Sequence, residues 1–328
     1  MTEIENATDI PTGPVCMSEA GVIINDSGES RTARARNFSI AFSAIASRCT
    51  RFRWDGSLGH TRKSFLNLTS GGNMKIVAIT ASYRGDKGFT QFLVDKIASG
   101  ATEEGALFDS IVLSKHKINH CVGCQVCHTE KSYLRCIYED QDDVNEIFNK
   151  MREADIILFA TPVYLFSMSG LLKIFLDRIH STGDSSKLRM SKSGLFFHDI
   201  DHELCSKPFV LLVCCDNLED ETPRNVISYF RTYSKFMDVP MVGTLVRKTG
   251  KLIGHGKSPE KEKRYPKIYD VYDAFHQAGK ELATIGRISS TTQKRANQNI
   301  IDIPFLALLM KFRPFKKRGL EKAKTMLM

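Results

Sequence analysis

The sequence predicts an α/β fold organised on a doubly wound, five-stranded parallel sheet, and three observations predict it. From Met74 onward, short apolar runs alternate with stretches of helical periodicity. The run Ile156 to Ala160 lacks the apolar–polar alternation of a sheet with one wet face, so helices must cover both sides. The loops rich in chemistry follow the carboxyl ends of the runs, where open parallel sheets bind ligands.

Taken in order, the predicted strands are Lys75 to Ser82, Leu107 to Leu113, Asp155 to Ala160, Phe209 to Cys215 and Met241 to Val246. Helical patterns fall near Gly88 to Ala98, Asp142 to Met151, Ser169 to Ile179, Pro223 to Phe236 and Tyr269 to Ile285. With 328 residues, 42% of them hydrophobic, the chain has material for a sizeable core. No stretch approaches the ~18 to 20 apolar residues of a spanning helix. A soluble, cytoplasmic protein is expected.

The net charge of +9 raises the question of nucleic acid. Residues 1 to 73 hold eight cationic against seven acidic side chains, residues 74 to 286 hold 28 of each, and residues 287 to 328 hold ten against two. The excess therefore belongs to the C-terminal tail, and no nucleic-acid groove is expected on the main domain.

Three regions follow. Residues 1 to 73, with the only Trp, lack sustained periodicity and read as a disordered extension. Two other accounts stay open: a poor targeting segment around Asn37 to Ser47, or a mis-assigned start, with translation beginning at Met74 after a purine-rich Ser70 to Asn73 coding stretch. Residues 74 to 286 form the main domain. Residues 287 to 328 form a basic helical tail, in which an apolar run before Lys311 to Arg318 would pack on the domain, meet another subunit or lie on an anionic membrane.

After the first strand, Ser82, Arg84, Gly85, Gly88 and Thr90 lead straight into a helix. A helix N-terminus exposes unpaired N–H groups and a partial positive charge, so these residues suit a monophosphate. The pattern matches neither the nucleoside-triphosphate loop nor the dinucleotide fingerprint. A plain capping role for Thr90 is the alternative. After the third strand, Thr161-Pro162-Val163-Tyr164-Leu165 runs to Met168. Pro162 stiffens this loop, and Tyr164 and Met168 could face a flat ring or simply fill the core.

Of nine cysteines, Cys121, Cys124, Cys127 and Cys136 crowd into sixteen residues after the second strand. Such spacing reads as ligands rather than disulfides, and four thiolates can converge on one iron–sulfur cluster. A zinc site using His120 or His128, a redox thiol pair, or a vestigial cluster are the competing readings. Cys214 and Cys215 are expected to pack in the core.

These motifs, with Asp142-Asp143, Ala154-Asp155 and Lys173-x3-Asp177-Arg178, occur in the order of a known family. Residues 74 to 286 resemble the iron–sulfur flavoproteins and related NAD(P)H-dependent FMN reductases of flavodoxin-like fold. The resemblance implies FMN, with its phosphate on Ser82, Arg84 and Thr90, its ring against Pro162, Val163, Tyr164, Leu165 and Met168, and Gly88 and Thr161 also among the cofactor-binding residues. It also implies a [4Fe-4S] cluster on Cys121, Cys124, Cys127 and Cys136.

The implied function is a flavin-dependent oxidoreductase that moves electrons from NAD(P)H or ferredoxin to an acceptor, in a homo-oligomer. A cluster-free flavin or quinone reductase and a non-enzymatic electron carrier are the alternatives. No side chain is nominated as acid or base. Two departures stand out: Phe89 replaces a common Asn, and Cys214-Cys215-Asp216-Asn217 replaces a glycine-rich flavin loop.

Overall fold

The computed structural model describes residues 73–300 and 312–327. The first half runs β1 (Lys75–Thr80), α1 (Phe89–Glu103), β2 (Leu107–Val112), α2 (Val144–Glu153), β3 (Ile156–Tyr164), β4 (Ser167–Met168) and α3 (Gly170–Asp177). A hairpin follows, β5 (Asp184–Met190) and β6 (Phe196–Asp199), then α4 (His202–Cys205), β7 (Phe209–Cys214), α5 (Glu221–Met237) and β8 (Met241–Arg247). The chain closes with α6 (Gly250–Ile253), α7 (Pro259–Lys263), α8 (Lys267–Ile285), α9 (Ser290–Asn297) and α10 (Arg313–Leu327).

The central sheet has the order β2-β1-β3-β7-β8, every neighbouring pair parallel. Numbered by chain order these strands read 2-1-3-4-5, the flavodoxin-like arrangement, whose crevice opens where β1 and β3 diverge. The expected five-stranded sheet is thus present.

Because successive strand residues face opposite sides, β1 divides its side chains between two cores. Val77 and Ile79 join Phe159, Phe148, Phe175 and Phe230 under α2, α3 and α5. Ile76 and Ala78 join Leu158, Leu93 and Phe275 under α1 and α8. Each large apolar side chain buried this way contributes roughly 1.5–3 kcal/mol. That two-sided demand is why the strands read as unbroken apolar runs.

Helices α1 and α8 meet through glycine. A Cβ on Gly100 would come within 1.9 Å of the His276 carbonyl oxygen, and one on Gly279 within 2.0 Å of the Ile97 oxygen. The folded unit also continues past residue 286. The amide oxygens of Gln293 and Asn297 on α9 accept from the Thr244 and Val246 N–H groups, closing the free edge of β8.

Two features went unread in the sequence. The β5–β6 hairpin begins with the polar stretch Asp184 to Lys187, which carries no strand signal. Strand β3 runs on to Tyr164 and turns back as β4, pairing Val163 with Met168 and Tyr164 with Ser167. The N-terminal extension with Cys16, Cys49 and Trp54, and the apolar run at 301–311, lie outside the described residues. Among the described residues no helix is long and apolar enough to cross a membrane.

Candidate functional site

The carboxyl ends of β1, β3, β7 and β8 surround an open cleft with about 500 Å³ of empty space. Ser82, Arg84 and Thr90 line it on one side and Pro162, Val163 and Tyr164 on another, so the two loops singled out in the sequence converge. Helix α1 starts from Gly88, which offers no side-chain cap, and Thr90 lies in the first turn rather than at the cap. The first N–H groups of a fifteen-residue helix are therefore free of side-chain capping. Gly88 is required here, because a Cβ would approach Ser82 Oγ to 2.8 Å. Ser82 Oγ in turn accepts from the Arg84 N–H at 3.2 Å.

Across the cleft, the rings of Tyr83 and Tyr164 stack at 6.3 Å and tie the two loops together. The other expected contacts fall elsewhere. Thr161 is fully buried, donating to the Pro162 carbonyl at 2.9 Å and accepting from the Ser169 N–H at 3.1 Å. Met168 belongs to the core under α3 and α5, and Leu165 projects into solvent, 90% exposed, at the hairpin tip. These three shape the hairpin and do not line the cleft.

The structure adds wall residues that no motif announced: Cys214, Cys215, Asp216, Arg247, Gly250 and His255. Arg247 ends β8 and is almost wholly buried. Its guanidinium donates to the carbonyls of Lys248, Ala296 and Gln298, and no carboxylate among the described residues pairs with it. Burial pulls its pKa down to about 10, and the side chain remains a cation at neutral pH. A buried, unpaired charge is costly, so an anion in the cleft would complete this site. Arg84 adds a second cation, with its guanidinium 5.6 Å from the Phe89 ring. Cys214 and Cys215 are buried as expected, and desolvation pushes their thiols up to about 12 and about 11.

The second site is a cleft of about 350 Å³ into which Cys121, Cys124, Cys127 and Cys136 all open. Left-handed backbone at Gly123, Gln125 and Leu134 winds the segment back on itself. The Leu134 N–H donates to the Cys127 carbonyl at 2.8 Å, which brings the Cys136 arm beside the first three cysteines. Burial chiefly, and the three other cysteines besides, raise the Cys127 thiol above its ordinary value. His128 Nε2 lies 3.1 Å from His180 Nε2. Ligand atoms of Cys127, His128 and His180 all lie within 4.8 Å of one another.

Comparison with known proteins bears on both clefts. Residues 74–198 match the family described as NADPH-dependent FMN reductase. An iron–sulfur flavoprotein of Methanocaldococcus jannaschii is 36% identical over 121 residues, 37% of this chain and 60% of the relative. One from Archaeoglobus fulgidus is 33% identical over 105 residues, covering 32% of this chain and 48% of the relative. One from Methanosarcina thermophila is 31% identical over 105 residues, covering 32% and 52%. The chain thus spans between 48% and 60% of the length of these relatives. The motif order, the strand order and these matches together make residues 74–198 similar to the NADPH-dependent FMN reductase family.

Proposed function

We propose that the chain is a flavin-dependent oxidoreductase that binds FMN in the β1/β3 cleft and a [4Fe-4S] cluster on Cys121, Cys124, Cys127 and Cys136. The observation that carries this reading is the convergence on one cleft of an uncapped helix start, Ser82, Arg84, Thr90 and Arg247, buried and without a carboxylate partner among the described residues, with Pro162 to Tyr164. The first group supplies donors and positive charge for a phosphate. The second supplies a stiff backbone and an aromatic edge for a flat ring. Thr161 and Met168 hold the hairpin from inside, and Leu165 covers its exposed rim.

Bound in these places, the flavin supplies hydride or single-electron chemistry and the cluster passes electrons one at a time. Helix α3 supports a relay between them. Its Ser169 cap is hydrogen-bonded to the hairpin of the first cleft, and the chain just past its end, Arg178 and His180, lines the second. Its eight residues span about 12 Å. The donor is NAD(P)H or ferredoxin. Exposed Leu188, Met190 and Phe196 on the β5–β6 hairpin support a homo-oligomer, since such side chains in a contiguous patch mark contact surfaces.

A second reading has its own observation. Cys127, His128 and His180 could hold a mononuclear zinc ion instead of a cluster, leaving a flavin reductase that works alone. Stopped-flow mixing with NADH and NADPH, alongside metal analysis, tests the proposal. Flavin bleaching together with iron and sulfide supports the two-cofactor enzyme. Bleaching with stoichiometric zinc supports the second reading, and reduction only through ferredoxin makes the chain a carrier.

A further inference from the structure

None of the described tail residues lines either cleft, yet the tail carries nearly all of the chain's charge excess. From Lys311 to Lys324 seven cationic side chains stand against one acidic one, Glu321. Helix α10 begins at Arg313, and residues 312–319 are all exposed. Eight consecutive residues pass more than twice round a helix axis, so no face of that stretch is sealed against the domain. Of the fates open to the tail, close packing is not the one its first turns show.

The exposed stretch is amphipathic. Phe312 and Phe315 are 53% and 52% exposed, with ring centroids 6.5 Å apart. The Lys316 N–H donates to the Phe312 carbonyl at 3.1 Å, which winds Phe312 into the helix. Residues three and seven apart share a helix face, so Phe312, Phe315 and Gly319 form one stripe. On the same winding Lys316 flanks this stripe on one side and Arg318 on the other, with Arg313 and Lys317 beyond Lys316. Just ahead in the sequence, Pro304 to Met310 contains no polar side chain.

We propose that the tail is a reversible anchor for an anionic lipid surface. Its cations meet the headgroups, and Phe312, Phe315 and the run from Pro304 to Met310 enter the boundary with the acyl chains. The proposal stands apart from the FMN reading. A helix with Lys and Arg beside an aromatic stripe lies in the plane of such an interface, and each cation near an anionic surface adds to the binding. The apolar run is far short of a membrane span. Charge and apolar content together select this occupant. A second copy of the tail would set like charges against each other. A nucleic acid would take up the cations but leave the apolar run nothing to bury against. The main domain, with equal numbers of cations and acids, adds no net attraction, so binding belongs to the tail.

The test is sedimentation of the full-length protein with vesicles of phosphatidylcholine alone and of an equal mixture of phosphatidylcholine and phosphatidylglycerol. Wild type should sediment with the mixed vesicles only, and less so as salt is raised. The combined change Lys316→Gln, Lys317→Gln, Arg318→Gln should weaken the partition by roughly tenfold or more. Phe312→Ser with Phe315→Ser should weaken it roughly tenfold, whereas Phe312→Leu with Phe315→Leu should stay within about threefold of wild type. All these sites are exposed, so thermal melts of the variants should match wild type. Absence of wild type from the mixed-vesicle pellet, equal sedimentation with both vesicles, or a Ser variant that binds like wild type overturns the proposal. Binding of duplex DNA that the Gln changes abolish, with no binding to vesicles, overturns it in favour of nucleic acid.

Discussion

Arg178 and Asp142 form an ion pair sealed beneath the cysteine cleft, with side chains 3% and 0% exposed. Arg178 also donates to the Asn119 carbonyl at 3.0 Å and lies 5.6 Å from the Tyr138 ring, while Asp142 accepts from the Asn119 N–H at 3.0 Å. One pair thus ties the entry of the cysteine segment to its exit. Removing one partner leaves the other charged and buried, at a cost of about 3–5 kcal/mol. Arg178→Met and Asp142→Asn should each release the loop to limited proteolysis and lose most of the bound iron. Retention of full iron content in both variants would show that the pair does not hold the loop.

The hairpin at the first cleft is strained. Its two-residue turn has φ of +46° at Leu165 and +65° at Phe166, values that suit Asn and Gly. Asn225 steadies it by donating to the Phe166 carbonyl at 3.1 Å. Such strain costs on the order of 1 kcal/mol or more per residue and collects at functional sites. The double change Leu165→Asn, Phe166→Gly should raise the Tm of flavin-free protein by about 4 °C. A Tm that does not rise contradicts the strain.

Gly100→Ala and Gly279→Ala would each strengthen an isolated helix by about 1 kcal/mol. In this protein the sign reverses, because the new methyl would meet backbone atoms of the facing helix at 1.9 and 2.0 Å. Chemical denaturation should show each variant destabilised by roughly 1–3 kcal/mol. A gain in either would mean that α1 and α8 pack less closely.

His255 also sets a pH dependence. Its folded-state pKa is lowered from 6.5 to about 3, so between those values the unfolded chain binds a proton that the folded chain does not. Its contribution is therefore complete above about pH 6.5 and declines as the pH falls toward 3. Between pH 7 and pH 5, urea unfolding of flavin-free wild type should lose about 2 kcal/mol more than His255→Gln does. Parallel pH slopes would contradict a neutral buried imidazole.

The sheet was legible because two-sided burial forces apolar runs, and the site loops because β1 and β3 end in residues with distinctive chemistry. The cysteines were legible by spacing alone, since the four that crowd together in sequence also share a cleft. Arg247 and His255 were not. Each is a single residue in an unremarkable stretch, and only the approach of β8 and the following turn to α1 gives it a role. Met168 was misleading in the opposite way. Strand β3 reverses through β4 and turns that side chain into the core, a reversal hidden because the turn lacks Asn or Gly. The 184–199 hairpin escaped because its first residues are polar.

The central claim is that one chain holds a flavin in the first cleft and a four-iron cluster in the second. Anaerobic purification followed by an absorption spectrum with flavin, iron, sulfide and zinc analysis tests both halves at once. The account predicts, per chain, about one FMN together with about four iron and four sulfide. Protein with neither flavin nor iron, or with stoichiometric zinc at the cysteines, would contradict it.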